Sequence, residues 1–221
     1  LANEELKIRN LDHTLETTYK LFLEYGIDKT TKEMISRASG LSRKSIDRYF
    51  LNKTDCVIHV AEWLLQDIRM NIGNRYPDSL FTDGKHTGAE LLRMYMMDVK
   101  DLFMQEPRLF VLYAEFKVFV YHNCEDYEQG YTLVWNWMGN RRLRQKIYNL
   151  GKKDGSLPSG IDLYTEEEYF CESFFGFLTN LAMSFDMHPP EETKKQIEKR
   201  IDNTIALYTS HQDAANPSFL I

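Results

Sequence analysis

Apolar residues return at steps of three and four through most of the chain, the spacing of one helical face. Ile8, Leu11, Leu15, Tyr19, Phe22 and Leu23 predict a first helix over residues 3 to about 25, ended by Gly26. Two short helices fall between Thr30 and Phe50. Asn52 is placed to cap a longer fourth helix to about Gly73, with Val57, Val60, Ala61, Leu64, Leu65 and Ile68 on its apolar face. Residues 74 to 88 are turn-rich. A fifth helix is expected from about Ala89 to Gln105. After Glu106-Pro107 a sixth, apolar almost all round and so expected to be central, runs to about Asn123. A seventh is expected from about Tyr127 to Leu150, with Gly151 as its C-cap and a loop over 151–164. Thr165 and Glu168 form a capping-box pattern for an eighth, to about Met187. His188-Pro189-Pro190 separates it from a ninth, Glu191 to Ser210, and the tail after His211 is expected to fray. The fold class is all-α, with about nine helices.

The stretch T-T-K-E-M-I-S-R-A-S-G-L-S-R-K-S-I-D-R-Y-F, Thr30 to Phe50, carries the clearest local pattern. Thr30 with Glu33 fits a capping box, and Thr31 is an alternative cap. Ile35 and Ala38 make a small apolar face. Gly40 stands where a turn favours positive φ, and Leu41 follows as the plug between the helices. Ser42 then caps a second helix with Ile46, Tyr49 and Phe50 apolar and Arg43, Lys44, Ser45, Asp47 and Arg48 polar. Two short helices with a glycine-bearing turn form a helix-turn-helix, whose second helix lies in the major groove of DNA.

Charge fits this reading once it is divided. The whole chain carries −6, but Lys29 to Lys53 holds seven cations and two anions, +5, so the remainder carries −11. A local positive patch attracts phosphate while an acidic body limits non-specific adhesion. The three cysteines, Cys56, Cys124 and Cys171, are scattered and far from any His pair, so neither a disulfide framework nor a zinc site is indicated. They read as idle thiols of a cytoplasmic protein. No stretch approaches a membrane span, and the start is Asn/Glu/Lys-rich without the apolar segment of a secretory signal. A chain opening on Leu1 rather than Met leaves an upstream segment open.

Residues 10 to 60 resemble the DNA-binding domain of the TetR family of bacterial transcription regulators. The resemblance rests on the first helix ending L-F-L-E-Y-G-I, the T-T pair, the A-S-G-L-S turn, and S-I-D-R-Y-F-L-N-K running into the next helix. It implies an all-helical homodimer, with an operator-binding domain over 1–56 and an effector-binding and dimerisation domain over 57–221. Two positions depart from the family pattern. Asp47 stands where the family usually has an aromatic residue, and Met34 where it usually has an acid. Asp47 can accept from a cytosine amino group, repel a wrong register, or pair locally with Arg43 or Lys44. The local pair is the reading favoured by helical spacing.

Arg43 and Lys44, at the start of the second short helix, are expected to contact base edges or phosphate. Arg suits guanine, bidentate to O6 and N7. Ser45, Tyr49, Lys53 and Thr30 or Thr31 match family positions that touch phosphate, and Arg48 is expected to join them. Lys53 in the first turn of the fourth helix opposes the helix dipole, which makes sense if both face a phosphate. The later helices carry a surplus of aromatic and Met residues. Met97, Phe103, Phe110, Tyr113, Glu115, Tyr131, Trp135 and Phe174 are candidates to line a pocket for an apolar or amphipathic effector, or to form a plain core. Glu115, acidic in an apolar run, is open to a ligand or to an Arg across the core. Helices eight and nine resemble the family's dimer interface, with Phe174, Phe177, Leu181, Ile197, Ile201, Ile205 and Tyr208 as candidates.

No nucleophile elbow, Gly-rich phosphate loop or metal spacing is present, which argues against an enzyme, and no cofactor is implied. The expected function is a TetR-like regulator, a repressor released from a pseudo-palindromic operator by a small-molecule inducer. The alternative is a regulator of the same fold acting mainly through a protein partner, with DNA binding redirected by Asp47.

Overall fold

The structure is a computed structural model and describes residues 2–124, 141–159 and 170–210. Among these, all regular structure is helical. The helices are α1 (Ala2–Tyr25), α2 (Lys32–Ser39), α3 (Arg43–Tyr49), α4 (Lys53–Gly73), α5 (Gly88–Gln105), α6 (Arg108–Asn123), α7 (Arg141–Asp154), α8 (Gly176–Met183) and α9 (Pro190–Ser210). A π-helical turn, Cys171–Phe175, leads into α8. Short 3-10 turns lie at Asp78–Phe81 and Phe185–Met187. The predicted start of the seventh helix and the Thr165 capping box lie outside the described residues.

The chain divides into two compact units. The first comprises residues 1–68 and 111–138, and the second 69–110 and 139–221. The division falls inside α4 and inside α6, and not after residue 56. In the first unit, Leu15 and Phe22 from α1, Ile35 from α2, Ile46 from α3, and Val57, Val60 and Leu64 from α4 are buried, as is Phe50 after α3. Leu112, Phe116, Phe119 and Val120 of α6 are buried too. Val118 and Tyr121 are exposed, so α6 has a wet face that its composition hid.

In the second unit α5 packs against both α7 and α9. Its start is a full capping box. Thr87 accepts from the Glu90 N–H, and the Glu90 carboxylate accepts from the Thr87 N–H. Leu91, Leu92, Tyr95, Met96, Val99 and Phe103 are buried. Lys100 is buried as well, and its ammonium reaches Asp101 at 3.0 Å and Glu198 of α9 at 3.3 Å.

Gly151 does not end α7, contrary to expectation. The helix continues to Asp154, and Gly155 at φ +77° follows it. Gly151 is needed for close approach. A Cβ on Gly88 would lie 2.2 Å from the Gly151 backbone, and one on Gly151 would lie 2.4 Å from the Leu157 side chain. Asp154 and Ser156 then accept from the Gly88 and Ala89 N–H groups. The first turn of α5 is therefore docked on the end of α7 at backbone contact.

This separates two glycine roles. Gly88→Ala should cost about 3 kcal/mol or more, because the clash is with backbone. Gly155→Ala, with nothing within 4 Å of its new Cβ, should cost only the left-handed strain, about 1–2 kcal/mol. Urea denaturation of the two variants measures the difference.

Candidate nucleic-acid interface

The pair α2 and α3 is assembled by local chemistry. Thr31 takes extended backbone and accepts from the Met34 N–H at 3.2 Å, so it is the cap of α2. Gly40 closes that helix in the left-handed region, φ +70°. The Ser36 hydroxyl donates to the Leu41 carbonyl at 2.6 Å, tying α2 to the turn. Ser42 caps α3 by accepting from the Ser45 N–H at 3.2 Å. Ile35, Ile46 and Phe50 are sealed beneath. Lys32 crosses from α2 to the end of α3. Its ammonium donates to the Phe50 carbonyl at 2.6 Å, the Leu51 carbonyl at 3.2 Å and the Asp47 carboxylate at 2.8 Å. Cations suit the carbonyl end of a helix. Asn52 caps α4 at the Asp55 N–H, and Asp55 accepts from the Leu51 N–H in return.

Asp47 pairs with Arg43, as its spacing suggested, and with Lys32, which its spacing did not show. It does not pair with Lys44. The Lys32 ammonium, followed by Arg43, holds the Asp47 carboxyl below the usual carboxylate range. Arg43 also donates to Glu33 on α2. Glu33 too is held low, first by its own backbone N–H and then by Arg43. Lys32 and Arg43 are thus matched by Asp47 and Glu33. Lys29, Arg37, Lys44 and Arg48 are exposed and face no carboxylate among the described residues. Lys44 and Arg48 sit one turn apart on α3, and Arg48 reaches the Ser45 hydroxyl at 3.4 Å. Tyr49 is half-buried, edge-on to Phe50.

Two expected contact residues are placed inward. Thr30 is buried, and its hydroxyl donates to the Gly26 carbonyl at 2.8 Å. It closes the turn after α1 and has no surface to offer a phosphate. The Lys53 ammonium donates to the Thr30 carbonyl and lies 5.3 Å from the centre of the Phe22 ring. Burial pulls its pKa below the ordinary lysine value. The cation that seemed to oppose the α4 dipole is used to satisfy a carbonyl of the turn. Lys29 and Arg37, exposed beside these helices, were not among the expected contact residues. Their only sequence signal was membership of the cationic stretch.

Glu115 serves this same unit. Its carboxylate accepts from the Ile27 N–H at 2.9 Å. Gly26 takes φ +83°, and its N–H bonds to the Phe22 carbonyl, so the left-handed cap of α1 leaves the next N–H without a helical acceptor. A Cβ on Gly26 would stand 3.3 Å from the Glu115 carboxylate. The glycine thus gives both the turn and the room. Glu115 is occupied here by backbone, and not by an Arg across a core.

Of the other candidate pocket residues, Phe103, Phe110 and Phe174 are buried in the second unit. Phe103 meets Phe110 at 5.1 Å, Phe110 meets Phe175 at 6.4 Å, and Phe174 meets Phe175 at 5.9 Å between ring centres. Met97 is half-buried. Tyr113, in the first unit, has the Lys117 ammonium 5.7 Å over its ring. Tyr131 and Trp135 lie outside the described residues. Three of the expected dimer residues, Phe174, Ile197 and Ile201, are buried within the protomer and leave no area for a partner. Helical periodicity could not tell an inner apolar face from an outer one. Phe177, Leu181, Ile205 and Tyr208 are half-buried, and the exposed apolar side chains on α8 and α9 are Met183 and Leu207.

Among the described residues no group of His, Cys, Asp and Glu could hold a metal ion, and no helix is long and apolar enough to cross a membrane. Burial pushes the Cys56 thiol up to about 12, which makes it a poor nucleophile.

Residues 15–60 match the family described as bacterial regulatory proteins, tetR family. No curated protein matches the chain by sequence. Similar solved structures include the fatty acid degradation regulator FadR of Bacillus halodurans, at 15% identity and TM-score 0.67, covering 86% of this chain and 93% of that one. A TetR transcription regulator of Haloarcula marismortui has 16% identity and TM-score 0.67, covering 91% and 97%. FadR of Bacillus subtilis in complex with stearoyl-CoA has 15% identity and TM-score 0.64, covering 88% and 96%. At these identities the likeness is one of fold.

Removing the Glu115 carboxylate strands the Ile27 N–H in a buried turn. Glu115→Ala should lower stability by about 1–3 kcal/mol, the cost of an unsatisfied buried donor. Glu115→Gln, which keeps an acceptor oxygen, should recover at least half of that loss. Thermal denaturation followed by circular dichroism compares the two.

Proposed function

We propose that this chain, which has the TetR-family fold and carries a TetR-family N-terminal domain over residues 15–60, is a DNA-binding transcription regulator that answers to a small molecule. The single observation that carries the reading is the locked α2–α3 pair with Lys29, Arg37, Lys44 and Arg48 exposed and matched by no carboxylate among the described residues. Such cations release counterions from phosphate, the sequence-independent part of DNA affinity. Thr31, Ser45 and Tyr49 add hydroxyl groups at the same helices. The working form is a homodimer through α8 and α9. Phe177, Leu181, Met183, Ile205, Leu207 and Tyr208 supply its apolar contacts, and its operator is a pseudo-palindrome with half-sites one helical turn apart.

The effector is apolar or amphipathic and binds among the aromatic and Met residues of the second unit. Two of the similar structures are FadR proteins in complex with acyl-CoA, stearoyl in one and lauroyl in the other. A long-chain acyl-CoA is therefore the first probe. Binding acts by changing the direction of α4, which runs from the capped turn after α3 into the second unit. That takes the two α3 helices off one-turn spacing and releases the operator. The effector must bind the released state more tightly to do this.

Four measurements test the reading. Footprinting on the DNA flanking the chain's own gene should show a protected pseudo-palindrome. Its absence at modest salt favours action through a protein partner. With about four phosphate contacts per protomer, the logarithm of affinity should fall against that of salt with a slope of about −7. Lys44→Ala should flatten it by about 2 in the dimer, and a slope near zero would sink the reading. Stearoyl-CoA should weaken binding to the protected duplex, while Leu207→Glu should shift the dimer toward monomer in light scattering.

A further inference from the structure

The two acids of the cationic stretch have a use that simple phosphate attraction does not explain. Arg43 is held at two points by carboxylates from two different helices, Nε by Asp47 at 3.4 Å and Nη1 by Glu33. Asp47 is itself held by Lys32, whose other bonds go to the backbone carbonyls of Phe50 and Leu51. The chain of contacts from backbone to guanidinium is continuous: carbonyls, Lys32, Asp47, Arg43. Lys32 is largely covered, so the far end of this chain is not a loose surface cation.

Lys32, Arg43, Glu33 and Asp47 sum to zero charge. This group therefore adds nothing to long-range attraction for DNA, and two carboxylates beside the guanidinium repel phosphate. Phosphate binding belongs to the four unmatched cations. What remains for Arg43 is a base edge. A guanidinium has five N–H groups, and two are taken, leaving three. A bidentate contact to guanine O6 and N7 needs two. An arginine already held at Nε and one Nη1 N–H loses less further rotamer freedom when it meets a base.

We propose that Glu33 and Asp47 are the positioning residues for sequence reading. They fix Arg43 for one guanine in each half-site, so that the acid at position 47 supplies selectivity where it subtracts from affinity. The inference rests on the operator reading above, and its test distinguishes the two.

The probe is a library of double-stranded DNA randomised over about two helical turns, selected by the full chain and sequenced. The wild type should enrich a guanine at one position of each half-site, and Arg43→Ala should erase that preference. Glu33→Gln with Asp47→Asn keeps the side-chain shapes and removes two negative charges per protomer. This double variant should bind the selected duplex as tightly as wild type, or more tightly. Its preference for guanine over adenine at that position should fall at least tenfold. An unchanged preference in the double variant, or a guanine that survives Arg43→Ala, overturns the inference. So does an equal loss of affinity for all duplexes, which marks a purely structural pair. A wild type that enriches no sequence overturns the operator reading, and this inference falls with it.

Discussion

Helices of eight and seven residues do not persist alone in water, because the first turn costs more order than so few hydrogen bonds return. Everything at α2 and α3 depends on that constraint. Their shape has to be supplied from outside the helices. Three apolar plugs, Ile35, Ile46 and Phe50, supply the burial. Side chains supply the termini, with Thr31 and Ser42 at the two starts and Lys32 on carbonyls at the far end of α3. The last matters most for geometry. A cation from α2 bonded to the backbone after α3 fixes the angle between the helices, which the apolar plugs alone would leave freer to slide.

The same economy of groups runs through the turn before α2. A left-handed glycine ends α1 and strands the next N–H, and the carbonyl of Thr30 lies four residues further along the same turn. Glu115 takes the N–H of Ile27, and Lys53 takes the carbonyl of Thr30. Both are ionisable residues from other helices, and both end up satisfying backbone. Buried polar groups of a turn must find partners somewhere, because leaving one unmade costs more than making it gains. That requirement decides what Glu115 and Lys53 do, ahead of any ligand or phosphate they were free to meet.

Much of this was legible in the residues, and the limits were specific. The helix starts at Ser42 and Asn52, and one near Thr30 or Thr31, follow from local chemistry, which is what a sequence displays; the Thr87 capping box was passed over in a turn-rich stretch. Thr30 and Thr31 show the limit of that method. Adjacent and identical, they differ in burial alone, and burial is a tertiary fact. Gly151 shows another. A glycine near a helix end reads as a cap, but this one is small because the Gly88 backbone arrives there, and Gly155 closes the helix. Glu115 lies 88 residues from Ile27 in the chain. A polar residue in an apolar run says that a partner exists, and says nothing of which. The burial of Ile197 and Ile201 was hidden for the reason that α9 is apolar on adjacent faces, one inward and one outward.

The acid in α3 fits the charge distribution as a whole. A chain at −6 with its cations gathered in one stretch already separates attraction from repulsion. Within the stretch the separation is repeated at the scale of single side chains. Unmatched cations act at a distance and do not distinguish bases, since every duplex presents phosphate. A matched cation is invisible at a distance and acts only on contact, where direction counts. Placing Asp47 beside Arg43 moves that arginine from the first class to the second. An aromatic residue at position 47 would add affinity of the general kind. In the role proposed for it, an aspartate there trades some of that affinity for orientation, which is the property that distinguishes one duplex from another.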